Sequence, residues 1–305
     1  MRVVFAGSPE VARRVLDVVR QSGVSIVGVI SQPDRPVGRK KTLTATPVSR
    51  FATDQQLPLW RPENAGELVD ALRNLRPDLV IAVAYGRLIT AEALAVPPHG
   101  WWNLHFSLLP AHRGATPVQH ALLAGDDTTG VSVFQIDEGL DTGPLLGQRS
   151  HPVTPGMTAG ELLEELAEVG ATLLVETVDA LVHGTLSPRD QVGEATLAPK
   201  LPRDAGRLDC AQPADQVFRR YQATTPEPGA YVFLTDTQSR LGIRKARLVG
   251  SHQAIPGVIE RIEDTIVMGC QGGGLELLTV HPAGKNVMCA TDWWRGVGRP
   301  VHCGE

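Results

Sequence analysis

The first half of the chain alternates short runs of apolar residues with segments whose apolar residues recur at helical spacing. Residues 2–6 predict a short buried strand, and residues 7–9 predict a turn into a helix, because proline is favoured at the start of a helix. We expect one face of this helix to be buried, and its apolar positions are Val11, Val15, Val18 and Val19. The chain therefore opens with a strand, a turn and a helix.

The same alternation continues up to residue 85. Residues 24–31 and 79–85 predict strands, and residues 47–55 and 64–75 predict helices. The second of these helices has its apolar residues on one face: Leu68, Ala71, Leu72 and Leu75. Because the strands are continuously apolar, they favour burial on both faces. This is typical of an α/β fold with a doubly wound, mostly parallel sheet.

A doubly wound sheet binds its ligands outside the carboxyl ends of its strands. Four loops follow predicted strands, after Ala6, Ser31, Tyr85 and Leu104. We therefore expect these four loops to converge on one site.

The periodic pattern fails between about residues 184 and 208, which contain three prolines. We interpret the core of this stretch, residues 190–208, as a linker between a first domain at 1–189 and a second at 209–305. A helix is predicted over 212–222. Short alternating runs then follow from 229 to 280, and they predict a small antiparallel barrel.

Composition narrows the class of protein. Of the 305 residues, 42% are hydrophobic and 20% are charged, which is ordinary for a globular protein. The net charge of −4 excludes a global positive field that would attract nucleic acid, so such attraction needs a local patch. The longest apolar run, 79–85, is too short to cross a bilayer, and the N-terminus lacks a signal-peptide core. We expect a cytoplasmic protein with no membrane partner.

The four cysteines, Cys210, Cys270, Cys289 and Cys303, show no zinc-ligand spacing, and we expect buried free thiols and no metal. The glycine-rich opening lacks the spacing of a dinucleotide-binding loop, and the chain has no P-loop motif. We therefore interpret Gly7 as a residue that only permits the turn into the first helix.

Candidate chemistry begins at the end of a predicted strand. Asn103 and His105 flank Leu104, so both side chains point to the face opposite that leucine. An amide donor beside an imidazole suits the stabilisation of an oxyanion during acyl transfer. The alternative is a histidine whose ring is satisfied by a backbone carbonyl.

A second cluster, residues 136–146, holds three carboxylates around two glycines. Asp141 lies in its centre, where aspartate is also common for purely local reasons. A carboxylate that reached His105 would fix its tautomer and raise its pKa.

These motifs together resemble the folate-dependent formyltransferases. The resemblance rests on residues 103–110, on Arg113, Gly114 and Pro117, and on residues 139–143 about 40 residues further on. It implies 10-formyltetrahydrofolate as co-substrate and direct formyl transfer to an amine, without a metal or a covalent intermediate. It also implies that Asn103, His105 and Asp141 are catalytic, with Asp141 either orienting His105 or relaying a proton. The folate site would be lined, mainly through backbone, by Ser107, Leu108, Leu109 and Pro110.

A basic loop bears on the identity of the amine. Residues 33–50 contain five basic groups and one acidic group. Such a run is often only a solvated loop. The run also resembles an insertion found in those family members that act on methionyl-tRNA, where the insertion holds the acceptor stem. This resemblance implies that Arg39, Lys40 and Lys41 contact initiator tRNA and that the protein serves translation initiation.

The resemblance extends to residues 282–288 near the end of the chain, and it implies an OB-like, tRNA-binding second domain and a monomer. Two departures occur: the basic loop lacks an extra glycine, and Glu227 stands where the family commonly has tryptophan.

Three rival functions follow from the same residues. A formyltransferase acting on a sugar-nucleotide amine can share both domains and differs in the basic loop. A glycinamide ribonucleotide formyltransferase lacks the second domain. An inactive RNA-binding module would not need Asn103, His105 and Asp141 together.

Overall fold

The structure, a computed structural model, describes residues 1–38, 41–250 and 254–304. The chain forms two compact units: the first comprises Met1–Pro117, Thr128–Pro152 and Leu163–Ala198, and the second comprises Val118–Asp127, Val153–Leu162 and Pro199–Glu305. Up to residue 124 the elements are β1 (Val3–Gly7), α1 (Glu10–Gln21), β2 (Ile26–Ile30), β3 (Arg35–Val37), β4 (Thr42–Thr44), α2 (Pro47–Asp54), β5 (Leu59–Trp60), α3 (Ala65–Leu75), β6 (Leu79–Val83), α4 (Ala91–Leu94), β7 (Trp101–His105) and α5 (Pro117–Ala124). The remaining elements are β8 (Thr128–Gln135), β9 (Leu145–Pro152), α6 (Ala159–Val182), α7 (Ala214–Ala223), β10 (Tyr231–Leu234), β11 (Ser239–Val249), β12 (Val258–Ile262), β13 (Thr265–Cys270), β14 (Gly273–Pro282), β15 (Met288–Cys289), α8 (Ala290–Val297) and β16 (Val301–His302).

The first unit is built on a seven-stranded sheet with the order β5-β2-β1-β6-β7-β8-β9. The first five strands in that order are parallel, whereas β8 and β9 are antiparallel to their neighbours. All residues of β1 and β6 are buried, as their continuous apolar sequences predicted. The predicted α/β fold with a mostly parallel sheet is confirmed.

The helices confirm the predicted apolar faces except at two positions of α1. All four apolar residues predicted for α3 are buried. On α1, however, the buried residues are Ala12, Val15, Leu16 and Val19. Two residues were wrongly placed on the buried face: Val18 is 38% exposed and Val11 is only partly buried. Ala12 and Leu16 complete the stripe beside Val15 and Val19 instead.

Gly7 has a different role from the one predicted. It is the last residue of β1, and it is not among the glycines with a left-handed backbone. A Cβ at this position would lie 2.8 Å from both the Ala12 Cβ and the Val83 carbonyl oxygen. Gly7 is therefore required by the close packing of β1, α1 and β6.

Three of the four predicted loops are joined by hydrogen bonds at the carboxyl edge of the sheet. Ser8 Oγ donates to the Tyr85 carbonyl oxygen (3.3 Å) and accepts from the Gln32 amide (3.3 Å). Gln32 Nε2 also donates to the Tyr85 carbonyl oxygen (2.8 Å). The fourth loop follows β7, which is parallel to β6, so it leaves the sheet at the same edge.

The second unit contains the predicted antiparallel barrel, with the strand order β10-β11-β14-β13-β12-β16. A bridge between Leu234 and Cys303 brings the end of the last strand back to β10 and nearly closes the sheet. Helices α7 and α8 pack against it, and Trp293 is buried in the barrel core beside the partly buried Trp294.

Among the residues that the structure describes, no helix is both long enough and apolar enough to cross a bilayer.

Candidate active site

The end of β7 carries Asn103 and His105. Asn103 is partly exposed and lies between Ala82 of β6 and Phe134 of β8, whereas His105 is only 4% exposed. His105 Nε2 lies 2.9 Å from the carbonyl oxygen of His112. Because a carbonyl oxygen can only accept, Nε2 carries the hydrogen, and the lone pair of the neutral ring is at Nδ1.

Asp141 approaches this ring from a loop that returns over the sheet. The loop leaves β8 next to β7, where the Ile136 amide donates to the Trp101 carbonyl oxygen (2.7 Å). Asp141 Oδ2 then lies 3.7 Å from His105 Nδ1 and accepts a hydrogen bond from the Gly114 amide (2.8 Å). The carboxylate is therefore held near His105 but beyond direct hydrogen-bonding distance.

The two glycines around Asp141 allow this turn to be compact. A Cβ at Gly139 would overlap the Thr142 side chain, and one at Gly143 would overlap the Gln135 carbonyl oxygen. Asp141 itself has a φ of 53°, in the left-handed region that aspartate tolerates better than most residues. The shape of the turn thus explains the spacing of glycines in the sequence.

The pKa of His105 is lowered from its ordinary value. The largest cause is burial, which disfavours the charged ring. The nearby Asp141 carboxylate and the hydrogen bond to His112 act in the opposite direction, but they do not outweigh burial. Asp141 therefore acts to raise the pKa of His105, as expected, but burial lowers this pKa by more. The net shift is downward, and His105 is neutral near pH 7.

This arrangement can accept a proton. Two acceptors, His105 Nδ1 and Asp141 Oδ2, face each other across 3.7 Å. A proton placed between them would be attracted by both, and a positive ring would be balanced by the carboxylate. The Asn103 side chain, on the same face of β7, can donate to an oxygen that becomes negative.

Gln191 holds the turn that carries Asp141, and the sequence analysis did not single it out. Its Nε2 donates to the carbonyl oxygens of Asp141 and Gly143, both at 2.8 Å. Its Oε1 accepts from Arg113, whose Nη2 is 2.6 Å away. Gln191 lies within the predicted linker, where the sequence has no periodic pattern that would single out a residue. Its role in holding the Asp141 turn is therefore visible only from its contacts in the structure.

The loop at residues 107–110 is held mainly by internal bonds. The Ser132 hydroxyl donates to the Ser107 carbonyl oxygen (2.7 Å) and accepts from the Leu109 amide (3.1 Å). The Leu109 carbonyl oxygen accepts from Gln148 (2.9 Å), and that of Pro110 accepts from the Thr196 amide (3.3 Å). Within this loop only Leu108 is partly exposed. Most backbone groups expected to contact a ligand already have partners.

The basic loop is a β-hairpin rather than an irregular segment. Strands β3 and β4 pair from Arg35 opposite Thr44 to Val37 opposite Thr42. Lys41 is exposed and donates its amide hydrogen to the Gly38 carbonyl oxygen (3.2 Å). The other two predicted tRNA contacts, Arg39 and Lys40, lie outside the described residues.

Two other predicted features can be located. Glu227 is exposed. Three of the cysteines are buried, but Cys289 is exposed, so the expectation of four buried thiols was wrong at that position. Within the described ranges, no group of three or more His, Cys, Asp or Glu side chains is placed to hold a metal ion.

Asn103 and His105, at the end of a strand in a mostly parallel sheet, thus have the Asp141 carboxylate of a returning loop beside them, in a chain that also forms an antiparallel barrel. The chain belongs to the formyl transferase family: the family model for formyl transferase matches residues 1–178, and that for the formyl transferase C-terminal domain matches residues 200–298.

Similar full-length relatives carry a more specific name. The methionyl-tRNA formyltransferase of Paenarthrobacter aurescens strain TC1 is 44% identical over 302 residues, which cover 98% of each chain. That of Thermobifida fusca strain YX is 44% identical over 299 residues, covering 97% of this chain and 96% of the relative.

Solved structures share the fold at low sequence identity. HypX from Aquifex aeolicus, in complex with tetrahydrofolic acid, has a TM-score of 0.68 at 17% identity, and the match covers 96% of this chain and 47% of HypX. An N-formyltransferase from Helicobacter canadensis, in complex with folinic acid and dTDP-3-aminofucose, has a TM-score of 0.64 at 16% identity, covering 90% of this chain and 98% of that one.

Proposed function

We propose that this protein transfers the formyl group of 10-formyltetrahydrofolate to the α-amine of methionyl-tRNA, the initiator tRNA of translation. The observation that carries the proposal is the approach of Asp141 to the buried imidazole of His105 on the strand that also bears Asn103. Relatives that share over 40% identity along almost the whole chain support the same substrate.

The proposed reaction needs one group that stabilises the formyl oxygen and another that accepts a proton. Asn103 donates from its side-chain amide to the formyl oxygen, where negative charge develops as the amine attacks. His105 Nδ1, 3.7 Å from Asp141 Oδ2, receives the proton that the amine loses. Because the His105 pKa is lowered, the ring is neutral and able to accept that proton. This geometry favours Asp141 as a partner in proton transfer over a role in orienting the ring alone.

The folate fits the surface beside this strand end. When bound, it supplies the formyl group. Large apolar side chains are unusually exposed on the neighbouring loops, with Leu88 at 90% and Leu140 at 60%. Together with Leu108, these side chains would hold the pterin ring, while Ser107, Leu109 and Pro110 keep the loop in shape.

The remaining assignments concern the whole chain. Residues 1–189 form the catalytic domain, residues 190–208 the linker and residues 209–305 the OB-like domain that binds tRNA. The basic residues of the loop, Arg39, Lys40 and Lys41, hold the acceptor arm through its phosphates. The protein acts as a monomer in the cytoplasm.

The decisive experiment supplies labelled 10-formyltetrahydrofolate with either methionyl-tRNA or a dTDP-amino sugar. We expect label only in methionyl-tRNA, in a form that alkaline hydrolysis releases as formylmethionine. Unacylated tRNA is the control for transfer to the nucleic acid itself. Preferred labelling of the amino sugar would overturn the proposal.

A further inference from the structure

Three of the four cysteines meet inside the barrel unit, although they are far apart in sequence. Cys210, Cys270 and Cys303 are 4%, 1% and 4% exposed. The sulfur atoms of Cys210 and Cys303 are 3.7 Å apart, and Cys270 is buried in the same core cluster. None of these thiols takes part in the proposed formyl transfer.

Pairing of the surrounding backbone brings the thiols together. The Leu208 amide donates to the Tyr231 carbonyl oxygen (2.8 Å), which fixes the segment carrying Cys210 against β10. The bridge between Arg207 and Tyr231 is parallel, so the segment runs along β10 towards Leu234, and Cys303, which follows β16, lies opposite Leu234. Closure of the barrel therefore places residues 210 and 303 next to each other.

The cluster makes Cys210 the most reactive of the three thiols. Hydrogen bonds from the thiols of Cys270 and then Cys303 stabilise the Cys210 thiolate and lower its pKa, and this effect exceeds that of burial. The same arrangement raises the pKa of the Cys270 and Cys303 thiols, which remain protonated. A thiolate, rather than a thiol, is the attacking species in oxidation and in disulfide exchange.

A cleft gives small reagents access to Cys210. It has a volume of about 940 Å³ and is lined by Cys210 and by Gly304, the residue after Cys303. Three arginines, Arg207, Arg219 and Arg220, also line it. Two acidic residues, Asp204 and Asp209, line the cleft as well, and the neighbouring Asp209 carboxylate acts against the lowered pKa of Cys210.

We propose that Cys210 and Cys303 are a redox-reactive pair that a hydroperoxide converts into a reversible disulfide. The Cys210 thiolate attacks one peroxide oxygen, so that an S–O bond forms, the O–O bond breaks and hydroxide, or alkoxide from an organic peroxide, leaves. Cys303 then attacks the sulfenic sulfur, so that the S–S bond forms and the S–O oxygen leaves as water with the Cys303 proton. The two sulfurs lose two electrons to the peroxide, and a dithiol reductant reverses the change.

Cys303 is a better partner for Cys210 than Cys270 is. The two sulfurs must close from 3.7 Å to about 2.05 Å. Cys270 ends β13, where it pairs with Gly273 of β14, and the next residue, Gln271, is bridged to Pro213. Cys303 follows β16, a strand of only two residues, and its sulfur is the one that lies 3.7 Å from the Cys210 sulfur.

The sequence allows each cysteine to be followed separately. Trypsin cleavage after lysine and arginine, except before proline, puts them in four different peptides: 208–219, 262–285, 286–295 and 296–305. We would treat the folded full-length protein with hydrogen peroxide, block free thiols with N-ethylmaleimide and analyse the digest by mass spectrometry without reduction. The expected product is a cross-link between 208–219 and 296–305, two hydrogen masses lighter than the separate peptides and lost with dithiothreitol.

Matched variants test each role. Cys289→Ser and Cys270→Ser should keep the cross-link. Cys303→Ser should lose it and leave a sulfenic acid on peptide 208–219 that dimedone traps. Cys210→Ser should lose both products. A folded wild-type protein in which the buried thiols stay unreacted, or in which Cys210 pairs with Cys270 instead, would overturn the proposal.

Discussion

At the scale of single residues, the imidazole of His105 is the centre of the site. Burial keeps it neutral, and its Nε2 hydrogen is committed to the His112 carbonyl oxygen. Only Nδ1 is left for chemistry, and it faces Asp141. The functions of His105, Asp141 and Asn103 can therefore be separated by substitutions that change one atom or one charge.

Asn103→Ala should lower kcat by about 10²–10³, because its donor acts only as charge develops on the formyl oxygen. Asn103→Asp keeps the shape of the side chain but removes the donor, so it should be impaired to a similar degree. We would measure kcat and the folate Kd for both. Activity restored in Asn103→Asp would mean that the side chain serves packing rather than hydrogen bonding.

Asp141→Asn should lower the pKa of His105 further, because the carboxylate that favours the charged ring is lost. It should also decrease kcat strongly. An NMR titration of His105 checks the first effect, with Glu138→Gln as a control that removes an exposed charge from the same turn. An unchanged His105 titration in Asp141→Asn would show that the two groups are not coupled.

Gln191→Ala should lower kcat by roughly tenfold, the equivalent of about 1.4 kcal/mol, because the Asp141 turn loses two hydrogen bonds. The tRNA KM should change little. Gln191→Glu keeps the volume and can still accept from Arg113, but it cannot donate to the two carbonyl oxygens. Both variants should therefore be slow. If Gln191→Glu were fully active, the loss of kcat in Gln191→Ala would be due to lost packing rather than to lost hydrogen bonds.

At the scale of elements, the β3–β4 hairpin is the feature that most affects substrate choice. Its two strands form a small sheet of their own, separate from the seven-stranded sheet. Because β3 and β4 are paired, the backbone beside Lys41 loses less conformational freedom on binding than an unstructured loop would.

Replacing Arg39, Lys40 and Lys41 together with Ala should raise the KM for methionyl-tRNA and flatten its salt dependence. Each lost phosphate contact should reduce the slope of log affinity against log salt by about 0.7–0.9. The measurement is kcat/KM at several salt concentrations, with folate affinity expected to stay constant. Arg73→Ala, which removes an exposed charge on α3, is the control. If kcat/KM had the same salt dependence in the triple variant and the wild type, the three basic side chains would be exposed to solvent and would not contact the tRNA.

At the scale of the whole molecule, stability should depend on the protonation of His105. Its pKa is lower in the folded protein than the ordinary value of 6.5. Between these two values the unfolded chain binds a proton that the folded chain does not, so the free energy of unfolding increases with pH. Below about pH 6.5 the protein should lose stability, by at most about 1.4 kcal/mol per pH unit from this group.

The measurement is urea unfolding of the wild type and of His105→Asn from pH 5 to pH 8. The variant has no titrating ring, so its free energy of unfolding should change less with pH below 6.5. Comparing slopes, rather than absolute stabilities, removes the effect of the substitution on packing. Parallel pH profiles for the two proteins would contradict the prediction.

Local patterns were sufficient for much of the fold. The buried strands β1 and β6 are continuous apolar runs, and the stripe on α3 follows helical periodicity. Asn103 and His105 could be placed on one strand face because their separation is two residues. The family also followed from the sequence, because its motifs occur in the required order and spacing.

Contacts between residues far apart in the chain were decided only by tertiary structure. The 3.7 Å between His105 and Asp141, the two bonds from Gln191 and the proximity of Cys210 to Cys303 have no local signal. The direction of the His105 pKa shift could not be predicted from the sequence either. Burial lowers this pKa and the Asp141 carboxylate raises it, and which effect is larger depends on packing. Periodicity reports which face of an element is buried, whereas distance and desolvation depend on how the elements are assembled.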